Sequence, residues 1–341
     1  MNSTTSLTEP TAGVFVRYQR WSGELNRGRW TWLAIVMTGV RIAYRRSHMP
    51  LFLMMGVLFV VFSCVIFYII ALLETLIGTE EGRGLLEFVR ALLGVDLSGV
   101  QQIGEFKPVL WRSAFLFMTK AELLWVLLVA ARVGPGLIAD DLKARALPIY
   151  FAKPLQPWSY VTGKWLVIAI FIALVLLIPN LLSLVCGTLL TGGPGTNVDA
   201  LAMGWELLVC GIGVMVFGGF MMLALSSLCS DKRLVVVGWL ALCLLPMAAQ
   251  AIISETLPAD RTSGFLGCIS LHRDVLILCE WMLDLRQAWT STGLPPKAIV
   301  NALGPAIKPV YPAVVLAGVT LVSGLVCYWR VVRFSRSAAN V

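Results

Sequence analysis

The sequence predicts an all-α, polytopic membrane protein with six transmembrane helices, an N-terminal amphipathic helix and a short amphipathic helix in a central polar loop. The first observation is composition: 58% of the 341 residues are hydrophobic and 13% are charged, with a mean hydropathy of +0.83. Soluble domains carry about 25% charged residues, so this composition excludes one. The second is that the apolar residues form long runs, separated by polar segments that hold most of the arginines and lysines.

Six apolar runs are each long enough to cross a hydrocarbon core of about 30 Å at about 1.5 Å per residue. The predicted spans are Leu51–Leu73, Ser113–Arg132, Trp165–Leu190, Trp205–Leu228, Leu234–Ile253 and Val310–Tyr328. Residues 51–341 are therefore expected to form one six-span domain. No short apolar core with a small-residue cleavage site precedes it, so we expect the first span to act as its own insertion signal.

Two segments precede the first span. Residues 1–16 begin with a Ser- and Thr-rich stretch and are expected to be disordered. Residues 17–50 interleave arginines and tryptophans with an apolar stripe at helical spacing, which indicates a helix on the cytoplasmic membrane surface. We call it the elbow helix; a nucleic-acid-binding arm is the alternative, disfavoured by the direct junction with a span. Its expected headgroup anchors are Trp30, Trp32, Arg41, Arg45 and Arg46.

The distribution of positive charge predicts the orientation. With the N-terminus inside, 17 of the 27 lysines and arginines lie on the inner side, 9 lie outside, and Lys120 lies within a span. The short flanks decide, with Arg45 and Arg46 just before the first span and Arg330 and Arg333 just after the sixth. We expect an inner (plasma) membrane protein with both termini and the central loop in the cytoplasm.

A polar island of residues 132–165 lies between the second and third predicted spans. A Gly-Pro-Gly sequence at 134–136 ends the preceding helix. Apolar residues then recur near helical spacing, which predicts a short amphipathic helix over residues 137–147. Its carboxylates fall in the first turn and its cations later, as the helix dipole favours, and Pro148 sets its end.

This island resembles the first cytoplasmic loop of permease subunits of type-2 ABC exporters. The residues that carry the resemblance are Gly136-Leu-Ile-Ala-Asp140-Asp141, the Leu147-Pro148-Ile-Tyr150 turn, Lys153-Pro154 and Tyr160-Val-Thr-Gly163-Lys164. In that family the short helix is a cytoplasmic coupling helix, which docks on a separate ATP-hydrolysing subunit and passes its motion to the membrane helices. The sequence from Ala144 to Leu147 is more similar to the branch that includes multicopper-enzyme maturation permeases. That branch is broad, so no substrate is implied.

The resemblance also implies coupling residues and partners. The expected coupling residues are Asp140, Asp141, Lys143, Arg145, Tyr150, Lys153, Pro154, Tyr160 and Lys164. Paired carboxylates in a first helical turn suit capping and contact with basic partner residues. We expect Lys164 to place a cation at the cytosolic headgroups rather than to bind phosphate. The expected partners are cytosolic ABC ATPase subunits, a second permease copy in a homodimer or heterodimer, and the lipid bilayer, with no nucleic acid.

The chain carries no ATPase motif of its own. No Gly-x4-Gly-Lys-Ser/Thr sequence occurs, and Gly163-Lys164 lacks the required upstream glycine. We therefore expect no cofactor on this chain, with ATP and Mg bound by the partner subunit, and no catalytic residues. The predicted function is the transmembrane subunit of an ATP-driven exporter. The alternatives are a subunit that signals mechanically to an external partner without transport, a membrane-embedded enzyme, or a channel.

Two charged residues fall inside the second predicted span. Lys120 and Glu122 are two positions apart, so they cannot face each other on a helix. Each needs another partner, which favours a polar lining of a translocation pathway. The alternative is that the span begins nearer Ala121 and Lys120 snorkels to the outer surface.

The external loop, residues 254–309, is expected to hold two interfacial or re-entrant helices, with Pro295-Pro296 between them. A seventh crossing is rejected, because it would bury four ionisable residues and move the C-terminal arginines outside. Cys268, His272 and Cys279 share one face of a continuous helix, but about 16 Å would separate the two cysteines, too far for a metal ion or a disulfide. We expect no metal site; a turn within the segment would make the disulfide feasible.

Overall fold

The computed structural model describes residues 31–45, 49–76, 79, 82–85, 87–88, 107–147, 150, 156–194, 197–256, 264–291 and 307–339. Regular structure in this described part is entirely helical, which confirms the all-α class. The predictions for residues 1–30, including Trp30, lie outside the described residues. So do those for Arg46, Lys153, Pro154 and the Pro295-Pro296 turn.

The helices follow one another along the chain as the apolar runs predict. Their bounds are Thr31–Tyr44, Met49–Leu76, Lys107–Val133, Ala139–Lys143, Pro157–Ile172, Ile178–Thr191, Asn197–Leu228, Lys232–Thr256, Leu271–Met282, Leu285–Ser291 and Val310–Ala339, with a π-helical turn Ala173–Leu177 and a 3-10 turn Phe265–Gly267. The two helices around the π turn form one span, Pro157–Thr191.

Six of the described helices are long and apolar enough to cross a membrane, which confirms the predicted number. Most begin earlier than the apolar runs, for example at Lys107 and Pro157 rather than Ser113 and Trp165. Backbone hydrogen bonding continues a helix through the polar interface, whereas hydropathy registers only the apolar middle.

The third span changes its helical geometry half-way along. The π turn Ala173–Leu177 is followed by Ile178 and then by Pro179, which has no backbone N–H to donate. The side-chain amide of the next residue, Asn180, donates to the carbonyl of Leu176 at 2.9 Å and also to the carboxylate of Glu122. The second and third spans are therefore joined by a polar contact beside the π turn.

An aromatic cluster joins the first three spans. The rings of Phe67 and Trp111 stack with centroids 4.1 Å apart, and Phe115 lies against both. A β-carbon at Gly187 would lie 2.7 Å from the Phe67 ring, so the third span reaches this cluster only through a glycine. These large buried rings are a substantial part of the packing between the spans.

The elbow helix, observed as Thr31–Tyr44, packs across the start of the third span. A β-carbon at Gly163 would lie 3.1 Å from Ile35, so Gly163 permits this close approach. Gly39 of the elbow helix makes the reciprocal contact with Val167. Arg41 and Arg45 are exposed, and Trp32 is half-buried.

The segment after the fifth span inserts between the spans instead of lying on the surface. We call Leu271–Met282 the re-entrant helix; its Ser270 cap accepts a hydrogen bond from the backbone N–H of Arg273. The next helix places the indole N–H of Trp289 3.1 Å from the Ser113 hydroxyl in the second span. These two helices part at Leu283–Asp284, and the predicted turn at Pro295-Pro296 lies beyond them, outside the described residues.

Candidate functional site: the central loop

The central loop leaves the second span through a close contact with the fourth. The span ends at Val133, and a β-carbon at Gly134 would lie 2.1 Å from the Met222 side chain. Only glycine therefore lets the chain turn here. The predicted amphipathic helix follows, but it covers Ala139–Lys143 and not residues 137–147. We call it the loop helix.

A Schellman motif ends the loop helix early. The Arg145 N–H donates to the carbonyl of Leu142 at 3.1 Å, and the Ala146 N–H donates to that of Asp141 at 2.9 Å. Arg145 has a φ of 50°, the left-handed conformation that glycine usually supplies here and that costs other residues about 1–2 kcal/mol. The loop thus holds Arg145 exposed, beside exposed Lys143.

The other end of the loop helix is fixed by the fourth span. Its N-cap residue, Ile138, supplies no side-chain cap. Instead the Ser226 hydroxyl accepts hydrogen bonds from the Ile138 and Ala139 N–H groups, both at 3.1 Å, and donates to the Pro135 carbonyl at 2.9 Å. Sequence reasoning missed Ser226. Its only signal is a Ser-Ser pair at the end of an apolar run, which does not reveal a partner 88 residues away.

Asp141 joins the loop helix to the third span. Its Oδ2 atom accepts a hydrogen bond from the Tyr160 hydroxyl at 2.6 Å and lies 2.7 Å from the Lys164 ammonium. Tyr160 is buried, and Lys164 is largely so. The Asp141 carboxylate therefore has its partners within this chain. The Lys164 ammonium thus pairs with Asp141, and its expected place at the cytosolic headgroups stays a prediction.

Two further predicted residues lie around this contact. The Tyr150 ring packs against that of Tyr160 with centroids 6.0 Å apart, and partial burial, with the nearby Asp141 charge, raises the pKa of Tyr150. Asp140 is half-buried on the loop helix. Both border a cavity of about 380 Å³ whose other wall is the elbow helix, at Ile35 and Ile42. The structure thus gathers five described coupling candidates, Asp140, Asp141, Tyr150, Tyr160 and Lys164, beside the elbow helix.

A comparison with protein families agrees with this architecture. The model for ABC-2 family transporter proteins matches residues 44–338, which include all six spans and the central loop. The chain belongs to the ABC-2 transporter family. It is therefore the transmembrane subunit of an ABC transporter, a permease. No curated protein matches the chain.

The pathway candidates of this ABC-2 permease lie in different surroundings. Glu122 is buried, at 1% exposure, and accepts the hydrogen bond from Asn180 beside the π turn of the third span. Lys120 is exposed. The pKa of His272 in the re-entrant helix is lowered mainly by burial of the imidazole, and the positive charge of Lys120 lowers it further. The two side chains diverge, as their spacing requires.

Cys268 and Cys279, of the segment after the fifth span, lie apart in the permease. Cys268 precedes the re-entrant helix and lies beside Asp274, whereas the Cys279 sulfur lies 2.6 Å from that of Cys210 in the fourth span. Among the described residues no group of three or more His, Cys, Asp or Glu side chains could hold a metal ion. The turn that would bring Cys268 to Cys279 is not observed.

Proposed function

We propose that this permease couples ATP hydrolysis by separate cytosolic ATPase subunits to the export of a substrate. One observation carries the proposal: the loop helix is bonded at one end to the fourth span, through Ser226, and along its length to the third, through Asp141. An element fixed to two spans cannot move without them. The resemblance of residues 144–147 favours a place near the branch of multicopper-enzyme maturation permeases.

The contacts give a mechanical route from the loop to the membrane. A displacement of the loop helix pulls on Tyr160 and Lys164, one turn apart at the start of the third span. The same displacement acts on the last turns of the fourth span through three hydrogen bonds to Ser226. Hydrogen bonds to charged groups are about twice as strong as neutral ones, which suits the Asp141 contact to transmitting force.

The docking face is the exposed side of the loop helix. Lys143 and Arg145 point to solvent, whereas the Asp141 carboxylate points inward. The strained backbone at Arg145 keeps this cation projecting, and such strain is typical of functional positions. We propose that these cations meet acidic groups of the ATPase, which binds ATP and Mg.

A second permease copy completes the proposed transporter. Only 11% of the fifth-span window and 22% of the sixth-span window is buried, against 56% for the second and third. These faces require lipid or another subunit. Exposed Lys120 in the second span is better accommodated by a partner or a water-filled path than by lipid. The proposed arrangement has two permeases, identical or not, in the inner membrane, with their termini and central loops in the cytoplasm.

Co-purification tests the proposal. The permease, solubilised from its native membrane, should carry a stably bound ATPase subunit whose ATP hydrolysis responds to substrate. Joint replacement of Asp140 and Asp141 by Ala should leave the permease folded but abolish that response. Asp231→Ala, at an exposed carboxylate on the neighbouring loop, is the matched control. A permease that purifies without an ATPase, or a double variant with normal stimulated hydrolysis, would contradict the coupling role.

A further inference from the structure

The re-entrant helix meets the fourth span at two cysteines. The sulfur atoms of Cys210 and Cys279 lie 2.6 Å apart, although 69 positions separate the residues in the chain. We propose that this pair forms a disulfide, which ties the re-entrant helix to the fourth span.

The geometry permits the bond. Two cysteines can be bridged only when their backbones are close and their side chains converge. The sulfur atoms of these two unbonded cysteines already converge at 2.6 Å, so closing to a bond of about 2.05 Å needs a shift of about half an ångström. Cys279 is 2% exposed, so its thiol is enclosed beside that of Cys210.

The position in the membrane also suits a disulfide. Cys210 lies in the half of the fourth span that is remote from Ser226 and the central loop. This step rests on the proposed orientation: a cytoplasmic central loop puts the pair in the outer half of the fourth span, away from the cytosolic reductants that would break a disulfide.

The buried carboxyl groups of the re-entrant helix indicate what the disulfide would stabilise. Asp274 is fully buried and Glu280 nearly so, and burial raises the pKa of both carboxyls. Burying such groups opposes insertion of the helix between the spans. A helix of 12 residues is also marginal by itself. A covalent link to the fourth span holds it in place against both costs.

The bond forms by exchange with a disulfide-carrying dithiol oxidase. The Cys279 thiolate attacks one sulfur of the donor disulfide, which gives a mixed disulfide and one donor thiol. The Cys210 thiolate then attacks the Cys279 sulfur and expels the second donor thiol. Two cysteines are oxidised, one donor disulfide is reduced, and both thiol protons end on the donor. Because Cys279 becomes enclosed, the exchange precedes packing of the re-entrant helix.

Thiol counting on the full-length permease tests the proposal. Whole cells are treated with N-ethylmaleimide and then denatured in its continued presence, so that buried free thiols are blocked as well, and the protein is then reduced and labelled with a mass-tagged maleimide. Two of the eight cysteines should take the tag only after reduction. Peptide mapping without reductant should join the peptides that contain Cys210 and Cys279.

Two serine variants test whether the tagged cysteines are Cys210 and Cys279, and one other cysteine contact has to be distinguished from this pair. A Cys210→Ser, Cys279→Ser double variant should lose the tag, whereas Cys268→Ser, a buried cysteine of the same segment, should keep it. Cys64 and Cys186 also touch, between the first and third spans, so the map must separate that pair. No tagged cysteine in the wild type, or a map that joins other residues, would overturn the proposal. Neither outcome would touch the ATPase coupling, which co-purification tests separately.

Discussion

The Tyr160 hydroxyl donates a hydrogen bond of 2.6 Å to Asp141 where the central loop meets the third span. The same carboxylate oxygen lies 2.7 Å from the Lys164 ammonium, one helical turn away. One carboxylate is thus held by two donors of a single helix. Its position relative to that helix is fixed more closely than one contact could fix it, because two bonds from different turns also restrict rotation of the side chain.

Tyr160→Phe removes the hydroxyl and retains the buried ring. A hydrogen bond to a charged group contributes about 1.5–3 kcal/mol, so we expect a lower melting temperature and weaker substrate-stimulated ATP hydrolysis in the complex. Tyr150→Phe is the matched control, because that ring is 40% exposed at the same contact. Equal behaviour of the two variants would show that the Tyr160 hydroxyl has no part in coupling.

Ser226→Ala should detach the central loop from the fourth span. It leaves the Ile138 and Ala139 N–H groups without their acceptor. Each unsatisfied buried donor costs about 1–3 kcal/mol. Hydrogen exchange should show loss of protection at these two amides. Ser227→Ala controls for the substitution, since the Ser227 hydroxyl bonds only to the Ala224 carbonyl of its own helix. Similar exchange in the two variants would contradict the capping role.

Charge reversal at the docking face should weaken ATPase binding. Exposed ion pairs contribute about 0.2–1 kcal/mol each, so the Lys143→Glu, Arg145→Glu double variant should bind the ATPase roughly tenfold less tightly at low salt. The difference should shrink as salt is added. Lys232→Glu, at an exposed cation that begins the fifth span, serves as control. Unchanged affinity in a titration of purified subunits would place the interface elsewhere.

The stability of the permease should depend on pH through Asp274. Burial raises the pKa of this carboxyl to about 7 from an ordinary value of 3.8, an effect that Cys268 and Arg273 only partly offset. The folded state then binds more protons than the unfolded state between those values, so stability falls as pH rises from about 4 to about 7. Asp274→Asn should flatten this decline in melting temperature. A variant profile parallel to the wild type would exclude Asp274 as its source.

The orientation can be tested with single added cysteines. Thr256→Cys lies at the end of the fifth span that is proposed to face outward and Gln156→Cys in the central loop, and both positions are exposed. An impermeant maleimide applied to intact cells should label position 256 and not position 156, with the wild type as the blank. The reverse pattern would put the loop helix beyond the reach of any cytosolic ATPase.

The sequence predicts the features that depend on local composition. Six apolar runs gave six spans because crossing a membrane requires length and hydropathy alone. The sequence also predicts the Gly-Pro-Gly break and the short helix after it, with carboxylates in the first turn, because these features depend on neighbouring residues. The resemblance supplied what local composition could not, the likeness to ABC permeases, and the family match agrees with it.

The contacts between distant residues were not predictable from one chain. Ser226, Lys164 and Cys210 each have partners decided by how the spans pack, and one sequence does not encode packing in any local pattern. The early end of the loop helix is a related case. A Schellman motif is signalled by glycine, and here arginine takes that position.

The π turn Ala173–Leu177 sets the rotational phase of the third span. A π turn holds one residue more than an α turn, and successive α-helical residues point about 100° apart. An uninterrupted helix would direct a side chain next to Asn180 toward Glu122. The part that carries Tyr160 and Lys164 and the part that carries Asn180 are thus offset in rotation by about 100° from an uninterrupted helix. The third span is therefore two helices joined with a rotational offset. The face that its first helix turns toward the loop helix is not continued along its second helix.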